Sequence, residues 1–235
     1  DRSHPADFTA SVLQETAPAL VLESDGGAPS ITQTGLVRPP VREEAGIREL
    51  ENVAASVWTS GSTGRPKGVA ISERGLMRDA QDRIRAYNLS PRDRVAWTSS
   101  PSYAGSIQDI CFTLLSGGTL LPGSLKGRSL QVVSEWLCRE QVSFFRPPVS
   151  YYRQWIQSLR ASDSFPALRT VSLGGQVVSW EDLAAFQSFF PEGRTIVHRY
   201  AVTECTLVAQ ALFRSGSIAI DKGPVRRHNH QGCRR

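Results

Sequence analysis

WTSGSTGRPKGVAIS, running from Trp58 to Ser72, decides how the rest of this 235-residue sequence is read. An apolar run, Ala54 to Trp58, leads into it, and a shorter one, Val69 to Ile71, leads out. The ten residues between, Thr59 to Gly68, carry three Gly, four hydroxyl side chains and one Lys. A loop so composed can bring several backbone N–H groups, several hydroxyls and one ammonium onto the same anion, which is how a phosphate chain is cradled. It is not the Walker loop, because Lys67 follows Pro66 and precedes Gly68 instead of completing a Gly-Lys-Ser or Gly-Lys-Thr run. On composition alone, a glycine-rich hairpin turn with a solvent-exposed Lys67 accounts for the stretch equally well.

Outward from this loop, short apolar runs alternate with amphipathic segments. ALVLE (19–23), AASVW (54–58), RVAWT (94–98), SFF (143–145), RTVSL (169–173), TIVHR (195–199) and LVAQALF (207–213) are β-branched or aromatic-rich and predict strands. In SLQVVSEWLCRE, Leu130, Val133, Trp136 and Leu137 recur at helical spacing behind Ser129 as cap. In VSWEDLAAFQSFF, Ser179 precedes Asp182 by three residues, with Leu183, Phe186 and Phe190 on one face, so this also predicts a capped helix. RGLMRDAQDRIRAY and SYYRQWIQSLR predict two more. Strand and helix in alternation imply an α/β fold: mostly parallel sheets flanked by helices. The segment Ser24 to Ile47, rich in Gly, Pro, Thr and charge and without a period, predicts a long surface loop.

Composition bounds the function. With 40% hydrophobic and 21% charged residues the chain is of ordinary globular type, and it has no apolar run of the length that spans a bilayer. The net charge is +5, but Arg226, Arg227, Arg234 and Arg235 sit together in the last ten residues without an acid. The remainder is nearly neutral, which argues against a nucleic-acid-binding face. Cys111, Cys138, Cys205 and Cys233 form no CxxC pair, so neither a zinc site nor a disulfide framework is expected. Cys233 beside His228 and His230 is the one ligand-like cluster, read as chance in a basic tail. Reduced thiols and the lack of a signal peptide point to the cytoplasm.

TSGSTGRPKG (59–68) resembles the phosphate-loop signature of the adenylate-forming superfamily, which includes acyl-CoA synthetases, luciferases and the adenylation domains of nonribosomal peptide synthetases. LGGQ (173–176) is similar to that family's LGGE segment, and HRYAVTE (198–204) to its NxYGPTE segment, in the family's order. The resemblance implies ATP-dependent activation of a carboxylic acid to an acyl-adenylate with release of pyrophosphate, followed by transfer to the thiol of CoA or of a carrier-protein phosphopantetheine. It places Thr59, Ser60, Gly61, Ser62, Thr63, Gly64 and Lys67 on the phosphates, and Gly174, Gly175 and Gln176 along the nucleotide. Tyr200 would stack on adenine, His198 would stand near its exocyclic amine and Thr203 would meet the α-phosphate. Glu204 would hold Mg²⁺, and Lys67, Thr203 and Glu204 form the implied catalytic set. Read without the resemblance, a Thr-Glu pair is more often a helix cap. Three departures are evident: Ala201 and Val202 replace Gly-Pro, His198 replaces Asn, and Gln176 replaces Glu.

PSYAGSIQDICFTLLSGGTLL (101–121) resembles the FDxSxxEIFxxLLxGxxL segment of amino-acid-activating domains, with Tyr103 at the Phe position and Ala104 at the position of the Asp that pairs with a substrate ammonium. Ala104 cannot pair, and a buried unpaired ammonium is costly, so an acid lacking an α-amino group is expected. The same resemblance puts Tyr103, Gly105, Gln108, Leu173, Val197 and Arg199 near the acyl pocket. Arg199 either meets a second acidic group on the substrate or, as strand-end arginines more often do, points to solvent.

The likeness runs from about Leu13 to Val225. It implies a partial AMP-binding domain over residues 1–225 and a disordered basic tail over 226–235. No counterpart of the family's hinge Asp or small-lobe Lys is found, so the chain by itself is expected to be inactive. A degenerate nucleotide-binding homologue and a non-catalytic scaffolding module are the alternatives.

Overall fold

The computed structural model describes residues 52–60 and 66–216, together with residues 7, 10, 12, 20–23 and 30–33. Two antiparallel hairpins precede the main sheet along the chain. One pairs β1 (Leu20–Glu23) with β2 (Ser30–Gln33), setting Leu22 opposite Ile31. The surface loop expected over 24–47 therefore contains a strand, because Ile31 and Thr32 are β-branched and meet a ready partner, although four residues are too few to show a period. The other residues of that segment lie outside the described residues.

The second hairpin joins β3 (Val53–Ser60) and β4 (Pro66–Ser72), with Thr59 opposite Lys67 and Ser60 opposite Pro66. Five of the ten residues of the expected loop, Thr59, Ser60 and Pro66 to Gly68, are thus strand. Pairing runs through Ser60 and resumes at Pro66, and Pro is tolerated there because it starts its strand. Gly68 permits close packing, since a Cβ there would lie 3.1 Å from the Trp58 ring.

Ser72 ends β4 and caps α1 (Glu73–Ala86), its hydroxyl accepting from the Gly75 amide at 3.1 Å. Then follow β5 (Arg94–Trp97), α2 (Ala104–Leu115), β6 (Thr119–Pro122), α3 (Leu130–Arg139), β7 (Phe144–Phe145), α4 (Val149–Ser158), β8 (Thr170–Gly174), α5 (Trp180–Phe189), β9 (Thr195–Val202) and β10 (Cys205–Arg214). The Ser129 and Ser179 caps are both in place. Ser129 Oγ accepts from the Val132 amide, and Asp182 reaches back to the Ser179 amide at 2.8 Å, the reciprocal half of a capping box.

Six strands form one sheet in the order β10-β9-β8-β7-β5-β6, parallel throughout except for β10, which runs antiparallel to β9. Side chains alternate across a strand, so the neighbours Phe144 and Phe145 enter different cores. Phe145 joins Val171, Leu173 and Ile196 beneath α3, α4 and α5, where Trp155 packs edge-on at 5.4 Å. Phe144 joins Val95 and Val197 beneath α1 and α2, against Phe112. Helices on both faces bury β7 and most of β8, the centre of the sheet, whereas β6 and the end of β9 stay partly exposed.

Candidate functional site

The carboxyl ends of β5, β7, β8 and β9 all point to one edge of the sheet, and most of the implicated residues lie there. Trp97 leads into Tyr103 and α2, Phe145 leads into Arg146, β8 ends at Gly174, and β9 runs past Tyr200 to Val202. Two glycines let the chains approach. A Cβ on Gly174 would sit 3.1 Å from the Arg199 carbonyl oxygen, and Gly175 has φ +78, beyond ordinary reach of L side chains. From Gly175 a Cβ would be 3.9 Å from the Tyr103 hydroxyl, so the LGGQ segment and the start of α2 are neighbours.

The hairpin meets the β9–β10 turn. Lys67 Nζ lies 3.7 Å from Glu204 Oε1, with the two side chains 66% and 54% exposed. Thr59 Oγ1 donates to the Lys67 carbonyl oxygen at 3.4 Å. Thr203 and Glu204 occupy the turn between β9 and β10, not a helix start, so the helix-cap alternative falls. With Ala201 and Val202 in place of Gly-Pro, nothing breaks the strand, and β9 continues to Val202. Tyr200 is exposed and His198 half-buried. Burial lowers the His198 imidazole below its ordinary value, so the ring is neutral near pH 7. Gln176 is exposed, and its Oε1 accepts from the Ser150 amide at 3.2 Å, at the start of α4. Gly61, Ser62, Thr63 and Gly64 lie outside the described residues, as does the Ser60 side chain.

The residues assigned to an acyl pocket divide between the two faces of the sheet. Ala104, Gly105 and Gln108 on α2, with Val197 and Arg199 on β9, share the α1/α2 side, whereas Leu173 is fully buried in the opposite core. Arg199 does not point to solvent. It is buried, donating to the Tyr87 hydroxyl at 2.7 Å and reaching Asp79 Oδ1 at 3.4 Å. Asp79 also holds Arg83 at 2.6 Å, and Arg83 donates to Gln108 Oε1, so one buried polar chain ties α2 through α1 to β9. Burial, and then the like charge of Arg199, lowers the Arg83 guanidinium against the pull of Asp79.

Sequence reasoning missed Arg146. It follows β7, donates to Asp109 through Nε at 3.0 Å and through Nη2, and holds its guanidinium 5.9 Å from the Tyr103 ring centre. The one available signal was its position, directly after an apolar strand at the sheet's carboxyl edge. A surface depression lined by Phe189, Pro191, Glu192 and Gly216 lies beside the start of β9, at the other end of the sheet, and contains none of these groups. Among the described residues no three His, Cys, Asp or Glu gather as a metal site, and no helix is long and apolar enough to cross a membrane.

Open α/β sheets take ligands outside the carboxyl ends of their strands, and the implicated residues of this open α/β sheet converge at that edge. The family model described as AMP-binding enzyme matches residues 4–233, and the chain belongs to that family. It is 28% identical over 233 residues to the isonitrile lipopeptide synthase of Streptomyces coeruleorubidus, covering 89% of this chain and 15% of the synthase. It is 28% identical over 228 residues to the probable non-canonical nonribosomal peptide synthetase CymA of Salinispora arenicola, covering 88% of this chain and 3% of that protein. The crystal structure of CmiS6 superposes with a TM-score of 0.70 at 27% identity, over 88% of this chain and 52% of that one. The chain therefore spans only part of the length of these relatives.

Proposed function

We propose that this chain supplies the nucleotide- and acid-binding part of an enzyme that activates a carboxylic acid with ATP. A carboxylate oxygen bonds to the α-phosphorus, the bond to the bridging oxygen of pyrophosphate breaks, and the acyl-adenylate forms. The thiol sulfur of CoA or of a carrier-protein phosphopantetheine then bonds to the acyl carbon, the bond to the phosphate oxygen breaks, and AMP and the thiol proton leave. The observation that carries this reading is the 3.7 Å approach of Lys67 and Glu204 across the hairpin and the β9–β10 turn. So exposed a pair adds little stability, and it leaves a cation and an anion ready for a ligand bearing both metal and phosphate.

In this reading the hairpin residues Thr59 to Gly64, with Lys67, hold the triphosphate, while Gly174, Gly175 and Gln176 border the nucleotide. Tyr200 offers an exposed ring to adenine, and the neutral His198 a lone pair to its exocyclic amine. Thr203 meets the α-phosphate. The lone carboxylate of Glu204 fits Mg²⁺ carried by the nucleotide, because a hard cation shared with phosphate oxygens needs only one or two protein ligands, and the ion would neutralise phosphate charge. Ala104 brings no carboxylate to the acid, which favours a substrate without an α-amino group.

Calorimetry on the chain tests the assignment. Lys67→Ala is expected to weaken ATP roughly ten- to a hundred-fold by removing a charge-assisted contact. The same change should move the unfolding free energy by less than about 1 kcal/mol, since the pair is exposed. Glu204→Gln should remove the Mg²⁺-dependent part of ATP binding and leave the metal-free part. Unchanged ATP affinity in Lys67→Ala overturns the reading.

A further inference from the structure

The hairpin of β3 and β4 has two unlike faces. Val57, Val69 and Ile71 turn inward and pack with Leu76 of α1 and with Ala104 and Ile107 of α2. Side chains alternate along a strand, so Ser56, Trp58 and Gly68 belong to the other face. Trp58 is nonetheless half-buried, and among the described residues it joins none of the apolar clusters. What its ring covers is Gly68, the residue directly opposite it in the register. A Cβ on Gly68 would lie 3.1, 3.2 and 3.3 Å from Trp58 Cη2, Cζ2 and Cζ3, so the ring occupies the place that a side chain at residue 68 would take.

Gly68 adjoins Lys67. A glycine inside a strand keeps more backbone freedom than any other residue and offers its partner strand no side chain to pack on. Little else confines the chain there. Thr59 stands opposite Lys67 and donates its hydroxyl to the Lys67 carbonyl oxygen at 3.4 Å, and Ser60 opposite Pro66 is the last pair of the register. The Trp58 ring thus backs β4 from the outer face, while Lys67 leaves from the other face and meets Glu204 at 3.7 Å. An aromatic laid over a glycine of the neighbouring strand supplies the packing that the glycine lacks. Here it does so one residue from the ammonium.

Resting on the phosphate-binding reading of Lys67 above, we propose that Trp58 is a positioning residue for the triphosphate: its ring, laid over Gly68, fixes the stretch of β4 from which Lys67 reaches the β- and γ-phosphates. The backbone is ordered before the nucleotide arrives, so binding does not have to order it. AMP carries neither of those phosphates and is indifferent to the ring.

The test is calorimetry on the 235-residue chain with ATP and Mg²⁺ and, separately, with AMP. Trp58→Thr keeps a strand-forming residue but removes the cover. It is expected to weaken ATP roughly five- to thirty-fold, the cost of ordering one more backbone residue, while AMP binds as before. Trp58→Tyr, which returns a ring, should recover most of the loss. In the Lys67→Ala background, Trp58→Thr should cost nothing further, because a residue that acts through Lys67 then has nothing to position. Equal losses for ATP and AMP, or a loss that adds in full to that of Lys67→Ala, would make Trp58 structural and overturn the inference. Unchanged ATP affinity in Trp58→Thr, with Lys67→Ala still weakening it, would overturn the inference and leave the acid-activating reading standing. Should Trp58→Thr not fold, Trp58→Leu, which keeps apolar bulk without a flat ring, takes its place with the same outcomes, and if neither folds the inference falls. If Lys67→Ala itself leaves ATP unchanged, the phosphate-binding reading falls and this inference with it.

Discussion

Asp79 shows how much a single carboxylate can organise. It sits on α1, buried, and meets Arg83 at 2.6 Å and Arg199 at 3.4 Å, the latter from 120 residues further along the chain. Removing one member of such a group strands the others without water. Asp79→Asn is therefore expected to cost about 3 to 5 kcal/mol of unfolding free energy in urea, and a second change, Arg83→Met, should recover part of the loss. A cost within experimental error of zero would mean that solvent compensates these arginines. Because Arg199 lies between His198 and Tyr200 on β9, the same network also sets where those two side chains emerge on the opposite face.

At the scale of elements, Asp182 serves two helices. It closes the amino end of α5 through the Ser179 amide, and both its oxygens take Arg153 of α4 at 2.8 Å. Arg153 also donates to the Val177 carbonyl oxygen, so the chain leaving the LGGQ segment is pinned between the same helices. Asp182→Ala should lower stability by about 1 to 2 kcal/mol, most of it from the lost cap, because the ion pair is partly open to solvent. Asp182→Asn keeps an acceptor for the Ser179 amide and should recover most of that in the same denaturation series. A full loss in both variants would assign the effect to the ion pair instead.

Over the whole molecule, acid should act through a few tied groups. Burial alone would push the Asp93 carboxyl up, but Arg169, Ser143 and Ser90 hold it below the usual carboxylate range, joining the starts of β5 and β8. Asp182 is likewise held low against burial by Arg153 and Ser179. Each contributes stability that is present above its unfolded value and lost as pH falls through its folded value. His198, lowered by burial, acts in the same sense at higher pH. Asp109 opposes them, since burial pushes it up against the pull of Arg146. With the tied carboxylates Asp93 and Asp182 governing the response, the melting temperature is expected to fall from about pH 7 to about pH 3. Asp93→Asn should flatten the lowest part of that curve. A melting temperature that rises on acidification would show that Asp109 and not Asp93 governs the response.

Local chemistry by itself determined the class of fold and much of the candidate site's inventory. Alternating apolar runs and capped amphipathic stretches marked four of the five parallel strands and four of the helices α1 to α5, with β6 and α2 escaping, and the glycines, hydroxyls and Lys67 of one loop marked a place for phosphate. Those signals are legible because strand period, helix period and capping act within a few residues. The strand inside the 24–47 segment escaped, being too short to carry a period. Only the tertiary structure decided what each buried face meets. It turned Arg199 inward onto Asp79, sent Leu173 and Val197 into different cores, brought Glu204 to Lys67, and closed Arg146 onto Asp109 from 37 residues away. Periodicity can say that a side chain is buried, but its charge partner is chosen by how distant elements pack, and no local pattern records that choice.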